Sequence, residues 1–421
     1  MTAQPATALP EMDIRYQQIR AQSEALCAPL ETEDLCVQSM DDASPLKWHL
    51  AHTTWFFETF ILKALSPGYT PHHPRYEYLF NSYYNGVGQP FPRSQRGNLS
   101  RPTVSEVYAY RAAVDEAMLS LLGLTEDNEV LARVELGLHH EQQHQELILT
   151  DLKHHFSINP LYPVYRERPL IQQRPLSPLV FDTHDGGVIE VGNEEGFCFD
   201  NELPRHGVLL QPYRLANRLV SNGEFFEFVE DGGYQTASLW LSEGWATVQA
   251  QNWKHPKYWR REDQDWFEFT LAGLRPLSLD APVVHVSAHE AFAYAAWAGA
   301  RLPTEFEWEH VASQTSPVEA PGNAFVESEL YHPVGLAEAG CAELYGQVWQ
   351  WTSSSYSPYP GYKTLPGTLG EYNGKFMSSQ LVLRGGSVAT PRAHIRPSYR
   401  NFFYAPDRWQ FSGLRLAKDV R

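Results

Sequence analysis

Two histidines four residues apart, His140 and His144, are the residues of this chain best suited to bind a metal. In a helix, side chains at this spacing lie on one face. Gln143 falls between them, and Leu136 and Leu147 extend the same face, so we expect it to be buried. Two imidazoles on a core-facing surface can bind a first-row transition metal. The alternatives are a solvated histidine-rich turn and core histidines satisfied by hydrogen bonds.

A third ligand should come from another helix. His49 and His52 are three residues apart, hence neighbours on one helical face, and periodicity does not choose between them. Three neutral histidines without a thiolate suit iron(II), zinc or copper and leave open coordination positions. Glu146 follows His144 by two residues. It is interpreted either as a carboxylate that orients a histidine or as a solvated surface residue.

The elements that must position these side chains are helices. The pattern from residue 12 to 155 predicts four of them, which favours an antiparallel bundle. Ser44 is the expected N-cap of the second helix, with Pro45 at its first position, and Thr103 opens the third in capping-box form. The predicted helices span about 14–27, 45–65, 103–122 and 126–155. The connection 66–102 is long enough to suggest a functional loop.

After residue 160 the pattern changes to short strands, Gly/Pro turns and tryptophans. We expect a hairpin element at 186–192, helices starting near 220 and 287, and one closing strand at 411–417. The predicted fold class is therefore α+β, with a four-helix bundle followed by a mixed domain. The predicted domains are 1–160, a Pro- and Arg-rich linker at 161–178, and 179–421.

Composition excludes some functions. With 33 Lys and Arg against 50 Asp and Glu, the net charge is −17, which argues against a nucleic-acid partner. The cysteines (Cys27, Cys36, Cys198 and Cys341) are scattered and form no CxxC, as is typical of free thiols in a reducing cytosol. The first 12 residues lack the features of a secretory signal, and no run reaches the roughly 18 apolar residues of a membrane span. These features predict a cytoplasmic protein with no membrane partner.

The chemistry-bearing motifs resemble those of the ergothioneine-biosynthesis sulfoxide synthases over nearly the whole chain. In the helical half, residues 48–52 (WHLAH) and the HxxxHxE pattern from His140 to Glu146 resemble that family's DinB-like domain. The second half resembles the formylglycine-generating-enzyme (sulfatase-modifying factor) domain, which has a C-type-lectin-like fold. Its motifs are residues 300–309 (ARLPTEFEWE), 346–352 (GQVWQWT), 384–387 (RGGS) and 411–415 (FSGLR).

The resemblance implies a metal and a reaction. In that family the third ligand ends the Leu-Ala-His triplet, which selects His52 over His49. The implied site is iron(II) held by His52, His140 and His144. The implied reaction uses O2 to couple a thiol to C2 of the imidazole of hercynine (Nα-trimethylhistidine), giving a sulfoxide. A metal template that holds the reactants together, with a nearby phenol as proton donor, suits this chemistry.

The long loop supplies the implied phenol. Tyr83 and Tyr84 lie in NSYYN, which resembles the double-tyrosine branch of the family, whose sulfur donor is free cysteine rather than γ-glutamylcysteine. We expect at least one of them to be catalytic, with Tyr83 favoured. Packing of the loop on the bundle is the alternative. Arg93, Arg96 and Arg101 follow in the same loop, and arginine binds carboxylates bidentately. We expect them to bind the amino-acid substrate, the alternative being solubility.

Hercynine carries a trimethylammonium group, which favours aromatic faces. The family places its hercynine contacts near the C-terminal segment, so the resemblance assigns Asn401, Phe402 and Phe403 to the substrate, with Trp409 close by. It also gives Gln143 a hydrogen bond to the substrate imidazole. Arg415 is interpreted as structural. No cysteine follows Cys341, so the late redox pair of the formylglycine-generating enzymes is absent, and the domain is expected to bind substrate instead.

Two other functions compete with an iron-dependent synthase acting on hercynine, cysteine and O2. The first is a selenoneine-type synthase that takes a selenosugar as donor. The second is a non-catalytic, metal-containing binding protein built from a bundle and a lectin-like domain. The presence of all three histidines and of the tyrosine pair favours an enzyme. The sequence does not predict an oligomeric state.

Overall fold

The computed structural model describes residues 11–168, 176–317, 324–335 and 342–420. The chain divides into two compact units, residues 1–152 and 153–421. The first ten residues, part of the expected linker at 161–178, and Cys341 lie outside the described residues. The domain boundaries drawn from the sequence stay predictions.

The N-terminal unit is helical, as predicted. Its helices are α1 (Met12–Cys27), α2 (Leu46–Phe57), α3 (Lys63–Leu65), α4 (Tyr76–Phe80), α5 (Val104–Leu122) and α6 (Asn128–Ser157), the last of which continues into the second unit. A π turn at Glu58–Leu62 joins α2 to α3, so this helix reaches Leu65. No helix of the described residues is long and apolar enough to cross a membrane.

The starts of two helices test the predicted caps. The capping box of α5 is confirmed: the Thr103 hydroxyl accepts from the Glu106 backbone N–H at 3.2 Å, and the Glu106 carboxylate accepts from the Thr103 N–H at 2.7 Å. The prediction that Ser44 caps α2 is wrong, because Pro45 is the N-cap. The Ser44 N–H donates to Asp151, and its hydroxyl accepts from Arg96.

A buried ion network joins three helices of the bundle. Glu141 on α6 accepts from Arg20 of α1 at 2.8 Å and from Arg111 of α5 at 2.7 Å. The Ser23 hydroxyl donates to the same carboxylate at 2.6 Å. Because both guanidiniums and the carboxylate are buried, the pairing compensates their desolvation and fixes α6 relative to α1 and α5.

The C-terminal unit mixes short strands with helices, as the sequence indicates. Its helices are α7 (Asn222–Glu230), α8 (Ser242–Gln251), α9 (Ala288–Trp297) and α10 (Glu305–Ala312). Its strands are β1 (Phe181–His184), β2 (Gly187–Val191), β3 (His206–Leu210), β4 (Tyr213–Ala216), β5 (Trp259–Glu262), β6 (Asp265–Thr270), β7 (Gly273–Pro276), β8 (Trp349–Ser355), β9 (Gln380–Arg384), β10 (Asn401–Tyr404), β11 (Ser412–Gly413) and β12 (Ala417–Asp419). Among the described residues they form four sheets, ordered β1-β4-β12, β10-β9-β8-β11, β2-β3 and β5-β6-β7.

The sequence motifs of this half form its buried core. Arg384, at the end of β9, donates to Glu305 at 2.7 Å and to Glu309 at 2.9 Å, both on α10. Arg400 donates to the same Glu305 at 2.9 Å. Gly385 has φ +100°, and a Cβ there would lie 2.4 Å from the Leu344 carbonyl oxygen. The RGGS motif therefore serves packing and backbone geometry.

The predicted closing strand is two short strands. β11 runs parallel to β8, and β12 pairs antiparallel with β4 in another sheet. Arg415 lies between them, fully buried, and donates to the Ala216 and Ala342 carbonyls at 2.7 and 2.6 Å. These bonds turn the chain from one sheet to the other and agree with a structural role for Arg415.

Candidate metal centre

Three buried histidines meet inside the N-terminal unit. His52 comes from α2, and His140 and His144 come from successive turns of α6. One nitrogen of each lies within 4.8 Å of the others, and the Nε2 atoms of His52 and His140 are 3.2 Å apart. Three nitrogens this close, each from a different side chain, suit coordination of a single metal ion.

His52 is held by the loop and by two indoles. Its Nδ1–H donates to the Phe80 carbonyl at 2.5 Å, which leaves the Nε2 lone pair directed at the cluster. Trp48 stacks on one side of the ring, with centroids 4.6 Å apart and planes 8° apart, and Trp55 stacks at 5.4 Å and 19°. The ring therefore has one orientation, which a metal ligand requires.

Burial keeps the cluster neutral. It lowers the pKa of His140 to about 3, and it holds the pKa of His52 and of His144 well below the usual range for histidine. Neutral imidazole is the form that binds metals, so the three side chains are ready ligands at neutral pH. Three neutral nitrogen donors fit a divalent transition metal, and they leave coordination positions open.

His49 lies beside the cluster and faces another way. Its Nδ1 is 2.8 Å from Nδ1 of His144, and its Nε2 is 3.0 Å from the Asp151 carboxylate. The structure thus brings His52, rather than His49, together with the two histidines of α6. The Asp151 carboxylate thus reaches this histidine pair. Glu146 is half-buried on the same helix, and its role stays a prediction.

The tyrosine pair sits in a turn fixed by one asparagine. The Asn81 amide donates to the carbonyls of Tyr84 and Gly88, both at 2.9 Å, and its oxygen accepts from the Tyr84 N–H at 2.9 Å. Tyr84 is fully buried, packs against Trp55, and stacks on half-buried Tyr83 at 4.7 Å. Since Trp55 also stacks on His52, the tyrosine pair is packed one layer from the cluster.

The rest of the loop is tied to α2 by buried polar groups. Glu58, in the π turn, accepts from the hydroxyl of Tyr69 at 2.9 Å and from the backbone N–H of His72 at 2.8 Å. The Trp48 indole donates to the Leu79 carbonyl at 3.1 Å. Lys47 donates to the Leu99 carbonyl at 2.6 Å. These hydrogen bonds therefore hold the loop against α2 and the π turn, beside the histidine cluster.

The three loop arginines have different environments. Arg96 is buried, and its guanidinium lies 3.4 Å from the centroid of the Trp48 ring. It donates to the Ser44 hydroxyl at 2.9 Å, and no described carboxylate lies within ion-pair distance. Arg93 is exposed and pairs with Asp42 at 3.7 Å. Arg101 is exposed and donates to the carbonyl of its neighbour Ser100.

The remaining predicted substrate residues lie in both units. Gln143 is half-buried on α6, between the two histidines of that helix. Asn401, Phe402 and Phe403 are half-buried on β10 of the second unit, where Phe402 stacks on Tyr356 at 4.0 Å and 11°. Phe403 packs edge-on against Trp409 at 6.4 Å.

Sequence reasoning missed Asp151 and the stacking of Trp48. A signal for Asp151 was present, because it follows His144 by seven residues, two helical turns, and so lies on the same face of α6. Trp48 precedes His52 by four residues, again one turn of helix. Both could have been found by extending the ligand face of each helix by one turn or two.

Comparison with known proteins covers nearly the whole chain. Residues 15–148 match the DinB superfamily, and residues 183–420 match the sulfatase-modifying factor enzyme 1-like domain. The hercynine oxygenase of Mycobacterium tuberculosis is 32% identical over 413 residues, which cover 92% of this chain and 94% of that protein. The hercynine oxygenase of Mycolicibacterium smegmatis is 32% identical over 406 residues, covering 90% and 91%. The formylglycine-generating enzyme of Streptomyces coelicolor is 28% identical over 257 residues, covering 48% and 76%.

A DinB-superfamily bundle with a buried three-histidine cluster, joined to a sulfatase-modifying-factor domain, defines a class of two-domain oxygenases. These relatives confirm the α+β fold class and the two kinds of domain predicted from the sequence. The chain belongs to the hercynine oxygenase family. Membership favours an enzyme over a non-catalytic binding protein.

Proposed function

We propose that this chain joins the sulfur of cysteine to C2 of the imidazole of hercynine. The product is hercynyl-cysteine sulfoxide, as in ergothioneine biosynthesis. One C–H and one S–H bond break, a C–S and an S=O bond form, and O2 accepts four electrons, giving the sulfoxide oxygen and one water. The names of the relatives support this reaction class. The buried three-histidine cluster is the structural observation that carries it.

We propose iron(II) as the metal held by His52, His140 and His144. Three neutral nitrogens accept several divalent metals, but a reaction of O2 needs one that changes oxidation state, which zinc does not. When bound, iron supplies O2 activation and a template that brings the two substrates together. The protein supplies the fixed rings, the neutral nitrogens and the exclusion of water.

For the cysteine carboxylate we propose Arg96 as the main anchor. Burial holds the pKa of its guanidinium well below the usual range for arginine. A buried cation without a carboxylate partner is unfavourable, and an anionic substrate group would relieve that imbalance. Arg93, exposed on the same loop, is proposed to assist by attracting the carboxylate.

For proton transfer we propose the tyrosine pair, with Tyr83 as the donor. A phenol can hold a proton at its oxygen and release it when negative charge develops on a neighbouring group. Tyr84, fully buried against Trp55, supports the ring of Tyr83 by stacking. The turn held by Asn81 keeps both rings in place.

For hercynine we propose the remaining residues that the family resemblance assigns to it. Gln143 would hydrogen-bond the imidazole, since its amide can donate or accept. Phe402 and Phe403 would face the trimethylammonium group through cation–π contacts, and Asn401 would bind a polar group of the substrate. We also propose that the protein works in the cytoplasm, on small molecules only.

The test is an anaerobic mixture of protein, iron(II), hercynine and one sulfur or selenium donor, opened to air and analysed by mass spectrometry. We expect hercynyl-cysteine sulfoxide from cysteine alone. Product only from γ-glutamylcysteine or a selenosugar would contradict the proposed donor. His140→Ala is the matched control, and it should lose both bound metal and product. Full metal content in that variant would contradict the site.

A further inference from the structure

One histidine of the cluster has an outer partner that is itself a histidine. The Nδ1 atoms of His144 and His49 are 2.8 Å apart, so one of them donates a hydrogen and the other accepts it. All the groups involved are buried, and at this distance the two rings contact each other directly. Which ring donates decides which nitrogen of His144 has a lone pair for the metal.

The direction of the bond follows from Asp151. Its Oδ2 accepts from the backbone N–H of Ser44 at 2.8 Å, and a backbone N–H can only donate. Nε2 of His49 lies 3.0 Å from the same oxygen, and a carboxylate oxygen only accepts. Neutral His49 therefore carries its hydrogen on Nε2, and its Nδ1 accepts. His144 must then donate Nδ1–H, and its Nε2 keeps the lone pair.

We propose that Asp151 and His49 are positioning residues that hold His144 in the metal-binding tautomer. The hydrogen bonds run Ser44 to Asp151, His49 to Asp151, and His144 to His49. The proposal rests on the metal site of the proposed function. A carboxylate that acts on a ligand through an intervening imidazole also makes that ligand a better electron donor.

The two outer partners in this centre differ in kind. His52 is oriented by a backbone carbonyl, that of Phe80, which no side-chain substitution removes. His144 depends on two side chains, one from α2 and one two turns further along its own helix. Ser44, the other donor to Asp151, accepts from Arg96. The orientation of His144 is thus linked, through Arg96 and Ser44, to the loop at 66–102 as well as to α2.

The test compares His49→Leu with His49→Gln. Leucine has a similar size but no acceptor for the His144 N–H. The glutamine amide can accept from His144 and donate to Asp151. Cobalt(II) and zinc(II) affinities, measured by competition with a chromophoric chelator, do not depend on turnover. We expect His49→Leu to raise the metal Kd roughly 10- to 100-fold and His49→Gln to raise it less.

A measurement without a variant covers the case in which His49→Leu does not fold. In metal-free wild-type protein labelled with 15N-histidine, the ring of His144, assigned by its loss in His144→Gln, should carry hydrogen on Nδ1. Hydrogen on Nε2 would contradict the proposed positioning of His144 by His49 and Asp151. Equal metal Kd in folded His49→Leu and wild-type protein would also contradict it. If the wild-type protein binds no divalent metal, the proposed function fails, and the positioning role of His49 and Asp151 fails with it.

Discussion

Tyr83 and Tyr84 are neighbours in the chain with different surroundings. Tyr84 is fully buried between Trp55 and Phe60, whereas Tyr83 is half-buried and stacks on one face of Tyr84. A proton donor must reach its substrate, and a supporting ring need not. The difference in burial favours Tyr83 as the donor.

We therefore expect Tyr83→Phe to lower sulfoxide formation about 100-fold or more, in line with the loss of a general acid. Oxygen consumption should continue as unproductive oxidation of cysteine. Mass spectrometry with an oxygen electrode measures both. Tyr78→Phe is the matched control, because Tyr78 lies on the same loop with 41% of its surface exposed. An unchanged product ratio in Tyr83→Phe would count against its role.

Arg96 gives a second prediction at this scale. Arg96→Leu should raise KM for cysteine about 10- to 100-fold, the range for a lost hydrogen bond to a charged group, with KM for hercynine unchanged. Arg101→Leu is the control, since Arg101 is exposed and donates only to an adjacent carbonyl among the described residues. Equal shifts for both substrates would show that Arg96 acts on the fold instead.

Helix positions depend on the charge network around Glu141. Burial raises the pKa of this carboxyl, but Arg111 and Arg20 more than offset it and hold the pKa at about 2. The carboxylate is therefore ionised throughout the physiological range. Its removal would leave two buried guanidiniums short of their shared partner.

We expect Glu141→Gln to lower the free energy of unfolding by about 3–5 kcal/mol, as for breaking a buried ion pair. Urea denaturation followed by circular dichroism measures it. Glu129→Gln, which removes the exposed ion pair with Arg133 on the same helix, should change stability by about 0.5 kcal/mol or less. Similar losses in the two variants would mean that the buried network is not special.

The RGGS turn gives a prediction for the second unit. Gly385→Ala places a Cβ 2.4 Å from a backbone oxygen at φ +100°, so the turn must shift. Gly367→Ala has φ +66° and no atom within 4 Å, so it tests backbone strain alone. Strain of this kind is worth about 1–3 kcal/mol. We expect a larger fall in thermal midpoint for Gly385→Ala, measured by calorimetry.

Local features of this fold could be predicted and distant pairings could not. The capping boxes at Thr103 and Ser287 are complete within four residues, so the sequence shows them directly. Asp151 and His49 are 102 residues apart, and only the packed bundle brings them together. The break before β12 depends on carbonyls far from Arg415 in the chain. Periodicity places Asp151 on the ligand face of α6, but it does not show which residue of another helix Asp151 contacts.

The whole molecule should respond to acid through its buried histidines. Burial lowers the pKa of His140 to about 3, and it holds the pKa of His285 and of His394, in the second unit, well below the usual range. As pH falls below about 6.5, the unfolded chain takes up protons that the folded chain refuses. Stability is then lost progressively between about pH 6.5 and 3.

Metal-free protein should therefore have a lower urea midpoint at pH 5 than at pH 7.5. The carboxylate of Glu141 does not contribute in this window, because its stabilisation is fully present above about pH 4.5 and is lost only towards pH 2. Falling net repulsion, from −17 at pH 7, acts in the opposite direction. A midpoint that is constant or rises from pH 7.5 to 5 would show that repulsion dominates.

Two of the 12 tryptophans, Trp48 and Trp55, stack on the ring of His52. An open-shell ion bound by that histidine would quench the fluorescence of these two tryptophans, whereas closed-shell zinc(II) would not. Tryptophan fluorescence should therefore distinguish an open-shell ion from zinc(II) in the centre, within seconds and without substrate. The stacking that orients His52 thus also makes the fluorescence of Trp48 and Trp55 sensitive to the metal that His52 binds.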